Sequence, residues 1–189
     1  MPGKSGLNDT ITLLDRAISS VNLKYAIIGG TAVIIRGYER STQDVDAVVL
    51  GADDKFDELC AAFLSQGFRF RKPNGEQFAR RHRIILLESP DGTGADVSMG
   101  ALPFEIEMVG KATREVVFEN VSVPVVAAED LMIMKLIASR DQDHDDVGRL
   151  FEIYPDVNLK RIKRIVTDYA EILERPEILD GLKVFARKR

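Results

Sequence analysis

Two aspartates one residue apart, Asp44 and Asp46 in STQDVDAVVL, stand at the opening of an apolar run. Fourteen residues before Asp44, the glycine pair Gly29-Gly30 closes another apolar run, YAII. Alternate side chains of a strand project to one face, so two carboxylates at i and i+2 point the same way, roughly 6 to 7 Å apart at the backbone. Like charges at that range call for a cation. Hard divalent ions such as Mg²⁺ take carboxylate oxygens and share the rest of their shell with substrate phosphates, so phosphoryl chemistry is the first expectation. Glycines lack a Cβ, which permits a tight turn and lets a phosphate approach main-chain N–H groups, and a short helix from Thr31 would aim its positive end at the same place. Arg36, Arg40 and Thr42 lie between the two ends, and a strand-helix-strand unit would bring both ends to one rim. Taken singly, each feature is equally well an ordinary strand-to-helix turn or a solvated strand end; their order and spacing favour a site.

Gly29-Gly30, an arginine, then Thr42-x-Asp44-x-Asp46 resembles the first motif of the DNA polymerase β-like nucleotidyltransferase fold. The similarity is to the bacterial branch that holds the abortive-infection toxin nucleotidyltransferases, the AbiEii-like proteins, and it extends over about residues 20 to 155. The resemblance implies that Gly29, Gly30 and Thr31 hold a triphosphate and that Asp44 and Asp46 bind metal. It also implies a third acid from a later strand, which Asp96 in GTGADVSMG supplies. A third motif of lysine, arginine and spaced aspartates is matched by Lys135, Arg140, Asp143 and Asp146 in LMIMKLIASRDQDHDDVGRL. The implied fold is α/β, a mixed sheet flanked by helices, with residues 1–126 as catalytic core and 127–189 as a C-terminal helical bundle packed on it. The implied reaction moves a nucleoside monophosphate from a nucleoside triphosphate to an acceptor hydroxyl, with two Mg²⁺ ions on Asp44, Asp46 and Asp96. Lys135, with Arg36 or Arg40, would neutralise triphosphate charge, and Asp143 and Asp146 would lie near the nucleotide. Acceptors within that resemblance range from a tRNA or RNA end to a protein side chain or a small hydroxylated molecule, and toxin relatives imply a cognate antitoxin. A catalytically idle nucleotide-binding module of the same fold is the alternative.

The elements that must position these residues follow from pattern. LNDTITLLDRAISS has helical apolar spacing over about 7–20, with Asn8 or Asp9 able to cap it. Residues 23–28 read as a buried strand, 31–37 as a short helix and 45–50 as a second strand. DDKFDELCAAFLSQG reads as an amphipathic helix with acids at its positive end and Gly67 at its stop. FRFRK, RIILLES, ADVSM, FEIEM, REVVFEN and VSVPVV read as strands, several alternating with period two between turn residues. After Pro124 the pattern turns helical in AAEDLMIMKLIASR, QDHDDVGRLFEIY, NLKRIKRIVTDYAEILE and PEILDGLKVFARK. There Asp143 and Asp146, three apart, share a face, while Lys135 is expected to lean to a rim.

Composition bounds the reading. The chain has 189 residues, 45% of them hydrophobic, enough for one sizeable core. Its single cysteine, Cys60, sits on an apolar helical face, and two histidines more than sixty residues apart, His82 and His144, give no ligand spacing; neither a disulfide framework nor a thiol or imidazole metal site is expected. Neither GxxxxGK[ST] nor GxGxxG is present, which sets aside the P-loop and Rossmann cofactor classes. No signal-peptide layout or run of about 20 apolar residues occurs, so a cytoplasmic protein without membrane association is expected. A net charge of −4 does not suit a general nucleic-acid coat. Cations nonetheless gather in Arg69, Arg71, Lys72, Arg80, Arg81, His82 and Arg83, and again in LKRIKRI and the terminal ARKR. They read either as a solvated hairpin with charged helix faces or as a track for an acidic or polynucleotide substrate.

Overall fold

A computed structural model describes residues 4–118 and 121–185. Its strands are β1 (Tyr25–Ile28), β2 (Asp44–Leu50), β3 (Arg69–Phe70), β4 (Ile84–Glu88), β5 (Gly94–Gly100), β6 (Thr113–Phe118) and β7 (Val121–Val125). Its helices are α1 (Lys4–Ser20), α2 (Gly29–Ile35), α3 (Phe56–Ser65), α4 (Gly75–His82), α5 (Pro103–Gly110), α6 (Ala128–Ala138), α7 (Asp141–Ile153) and α8 (Leu159–Ile172), followed by a 3₁₀ segment, Pro176–Phe185. The terminal ARKR cations and the last two residues of REVVFEN lie outside the described residues.

The strands form one seven-stranded mixed sheet in the order β3-β4-β5-β2-β1-β7-β6. β1 runs antiparallel to β2 and parallel to β7, β2 runs parallel to β5, and the pairs β3–β4, β4–β5 and β6–β7 are antiparallel. Position in that order explains the sequence patterns. β1 is interior and all four of its residues are buried, whereas β5 alternates, burying Ala95, Val97 and Met99 and leaving Gly94, Asp96 and Ser98 half-buried on the other face. Ile11, Leu14 and Ile18 recur at helical spacing, and their fully buried stripe fixes α1 against α3 and β2.

The chain divides into two compact units. The sheet unit comprises the described residues up to Ala32 together with Ser41–Val126; the helical unit comprises Val33–Arg40 and the residues from Ala127 onward. The division falls inside α2. Val33–Arg40 groups with the helices through specific bonds: Arg40 Nη1 lies 2.6 Å from Asp146 Oδ2, and the Tyr154 hydroxyl donates to the Arg36 carbonyl at 3.1 Å. Within the helical unit, α6 packs on α7, α8 and the 3₁₀ segment around Leu131, Met132, Leu136, Leu150 and Ile162.

Three local expectations are corrected. FEIEM is not a strand but part of α5: Pro103 sits in the first turn, and the Glu105 carboxylate accepts from the N–H groups of Ala101 (2.8 Å) and Leu102 (2.9 Å), satisfying donors that a helix start leaves open. The basic stretch after β3 is not a hairpin tip but the helix α4, which buries Ala79 and stacks Phe78 on His82, with ring centroids 4.4 Å apart. Finally, α1 starts at Lys4, so Asn8 and Asp9 are helix-interior residues rather than caps.

Candidate active site

β2 and β5 lie side by side in parallel register, pairing Asp44 with Gly94 and Asp46 with Asp96, while Asp46 pairs on its other side with Ile28 at the end of β1. Period-two geometry then carries Asp44, Asp46 and Asp96 to one place. One carboxylate oxygen from each lies within 4.8 Å of the others, and all three residues are half-buried. Three carboxylates at that separation repel one another, and hard oxygen donors in this number and spacing suit a divalent, oxygen-seeking ion whose own ligand distances are roughly 2.0 to 2.1 Å for Mg²⁺. The donor chemistry therefore fits the metal that the resemblance implies.

Gly29 and Gly30 are the first two residues of α2 rather than a turn ahead of it. Gly29 has φ +63°, and a Cβ built there would lie 1.9 Å from Oδ2 of Asp46. Its first role is thus to leave room for a triad carboxylate, in a backbone conformation that disfavours any side chain. Gly30 is buried, and Thr31, 4% exposed, donates its hydroxyl to the Asp44 carbonyl at 3.1 Å, which ties the start of α2 to the start of β2. Thr42, which the sequence reading gave no role, is 3.3 Å from Asp44 Oδ1. Arg71, read only as one cation among seven, donates from Nη2 to Asp96 Oδ1. No local spacing signals that contact, because it depends on β3, β4 and β5 being neighbours.

The other expected residues belong to the helical unit. Lys135 is 5% exposed, and its ammonium lies 2.8 Å from both Asp143 Oδ1 and Asp146 Oδ2. It is buried between acids rather than leaning to a rim. Arg40 Nη1 reaches the same Asp146 oxygen at 2.6 Å, and Arg140 Nε donates to Asp143 Oδ2 at 2.6 Å. Burial would raise the Asp143 carboxyl, but hydrogen bonds from Arg140 and Lys135 outweigh it and hold its pKa below the ordinary carboxylate value. Arg36 is half-buried, its carbonyl bonded to Tyr154. His144 Nε2 faces Ser139 Oγ at 3.2 Å, and burial pushes the Cys60 thiol up to about 12, away from thiolate reactivity.

A mixed sheet carrying three converging acids beside a glycine-opened helix defines a nucleotidyltransferase of the polymerase β-like fold. The chain belongs to the AbiEii family: residues 12–171 match the family model described as nucleotidyl transferase AbiEii toxin, type IV toxin–antitoxin system. Solved structures share the fold. The antibiotic-resistance factor ANT(2'')-Ia is 18% identical with a TM-score of 0.58, over 92% of this chain and 95% of that one. The lincosamide antibiotic adenylyltransferase LnuA, in a lincomycin-bound crystal structure, is 14% identical with a TM-score of 0.56, over 77% and 96%. An antigenic nucleotidyltransferase-like protein from Paracoccidioides brasiliensis is 19% identical with a TM-score of 0.52, over 93% and 92%. No curated protein sequence matches the chain. No helix among the described residues is long and apolar enough to cross a membrane.

Proposed function

We propose that this chain transfers a nucleoside monophosphate from a Mg²⁺-bound nucleoside triphosphate to an acceptor hydroxyl, as a cytoplasmic toxin of a toxin–antitoxin pair. The observation that carries the reading is the convergence of Asp44, Asp46 and Asp96 to within 4.8 Å in a chain of this family. Asp44 and Asp46 hold divalent ions, with Asp96 as the third ligand. When bound, two such ions neutralise charge on the attacking and departing oxygens. The acceptor oxygen forms a bond to the α-phosphorus, the bond from that phosphorus to the bridging oxygen breaks, and pyrophosphate leaves with the electron pair. The hydroxyl proton passes to the Asp96 carboxylate and on to solvent. Gly29 and Gly30 present backbone without side chains to the triphosphate. Arg36, Arg40 and Lys135 belong to the helical unit, where Lys135 is bonded to Asp143 and Asp146 and Arg40 to Asp146.

The test is mass detection of nucleotide addition after incubating the protein with each triphosphate, Mg²⁺, and total cellular RNA, cellular protein or aminoglycoside-like polyols. Transfer that chelation and Asp46→Asn both abolish supports the reading. Nucleotide binding without transfer to any acceptor class supports the idle module instead.

A further inference from the structure

The cross-strand row that builds the triad continues beyond it. Phe70 pairs with Leu87, the Arg71 N–H donates to the Leu86 carbonyl, Leu86 pairs with Asp96, and Asp96 pairs with Asp46. Residues directly opposed on neighbouring strands carry their side chains on one face, so Arg71 stands on the triad's face with the Leu86 position between it and Asp96. An arginine stem spans that gap, and the guanidinium meets Asp96 Oδ1. The guanidinium runs beside Gly94: a Cβ at that position would lie 3.4 Å from Arg71 Nη1 and 3.4 Å from the Asp44 Cβ, so Arg71 reaches the strand position that pairs with Asp44. The Arg71 and Asp96 side chains are 33% and 26% exposed, which keeps the pair within reach of an incoming ion.

We propose that Arg71 is a positioning residue that exchanges partners. Before metal binds, it offsets one of the three triad charges by occupying an oxygen of Asp96; an arriving divalent ion takes that oxygen, and the released guanidinium turns to a phosphate oxygen of the bound nucleotide. The exchange rests on the reading of the triad as a cation site. A carboxylate has about four lone-pair sites, so the competition is electrostatic: two cations in contact with the same Asp96 oxygen repel each other. Once the ion is in place, its charge repels the guanidinium, whose planar donor fork matches a phosphate as well as a carboxylate.

The experiment is calorimetric titration of the whole chain with Mn²⁺ alone, then with a non-hydrolysable triphosphate at saturating Mn²⁺, for wild type, Arg71→Gln, Arg71→Lys and Asp46→Asn. Removing the competitor is expected to tighten Mn²⁺ binding by Arg71→Gln about three- to fivefold, the scale of one partly exposed ion pair, and to weaken triphosphate binding. Arg71→Lys keeps the charge but loses the planar fork, and is expected to fall between wild type and Arg71→Gln in both; a lysine variant indistinguishable from Arg71→Gln in Mn²⁺ affinity overturns competition by charge. Unchanged or weaker Mn²⁺ binding by Arg71→Gln, with Asp46→Asn abolishing it, overturns the exchange and leaves the triad reading intact. Equal Mn²⁺ binding by wild type and Asp46→Asn removes the triad reading and this proposal together. Tighter Mn²⁺ binding with unchanged triphosphate affinity overturns the phosphate half.

Discussion

Gly29 and Asp46 occupy one small volume, and each constrains the other. A methyl at position 29 meets Asp46 Oδ2 at 1.9 Å, and it does so from a backbone at φ +63°. Gly29→Ala is therefore expected to cost about 1–2 kcal/mol for the left-handed conformation alone. It should also push Asp46 out of the triad, so urea denaturation should show the lower stability and Mn²⁺ titration a weakened site. Retained Mn²⁺ affinity would mean that Asp46 is not a ligand. Asp46→Asn is the complementary change: it keeps the size of the side chain and removes charge, so transfer should vanish while the metal-free protein melts at the wild-type temperature or slightly above it, repulsion having been relieved. Asp44 and Asp46 were legible in the sequence because strand period two is a local property. Asp96 was legible through its order along the chain. Arg71 was not, because its partner is set by which strands become neighbours, and that is a property of the whole sheet.

At the scale of elements, the junction of α6 with α7 is held by charge. Lys135 is 5% exposed and has a carboxylate on each side from Asp143 and Asp146, so truncating it strands buried acids that Arg40 and Arg140 only partly offset. Lys135→Ala is expected to destabilise the protein by about 3 kcal/mol, the lower end for breaking a buried pair, as measured by chemical denaturation. Unchanged stability, with triphosphate affinity lost, would instead give this lysine a direct and separable role at the substrate. Asp143 adds a pH signature. Its folded pKa is depressed, so the stability it contributes is present above the ordinary aspartate value, about 4, and is lost as pH falls through the lower folded value. Melting temperatures of wild type and Asp143→Asn should differ at neutral pH and converge as the pH drops below that value; a constant gap would show that the carboxylate's ionisation contributes nothing. The shared face of Asp143 and Asp146 was readable from their spacing of three, but the burial of Lys135 between them was not, since a lysine's position on a helix does not say what packs above it. FEIEM misled for a related reason. Phe104, Ile106 and Met108 alternate with glutamates as a strand would, yet the decisive feature is Glu105 reaching back to two backbone donors beside Pro103, while Ile106 remains 52% exposed.

For the molecule as a whole, charge counted along the chain overstates the free basic surface. Arg69 is paired with Glu88, Arg71 with Asp96, Arg80 with Asp57 and Arg83 with Asp53, so much of the cationic run between β3 and β4 is neutralised by acids distant in sequence. With a net charge of −4, a triphosphate is expected to depend on the metal for its binding. Nucleotide recognition should therefore be linked to Mg²⁺, and the linkage can be read from stability without knowing the acceptor. A ligand that binds only the folded state at one hundred times its dissociation constant stabilises it by about 2.7 kcal/mol. For a chain of this size that corresponds to a rise of roughly 5–10 °C in melting temperature. The rise is expected with triphosphate and Mg²⁺ together, and neither with triphosphate in excess chelator nor with Asp46→Asn under any condition. An equal rise in chelator would place the triphosphate on arginines and backbone alone and break the link between nucleotide and triad. An equal rise with Asp46→Asn would move the metal that carries the nucleotide to other ligands.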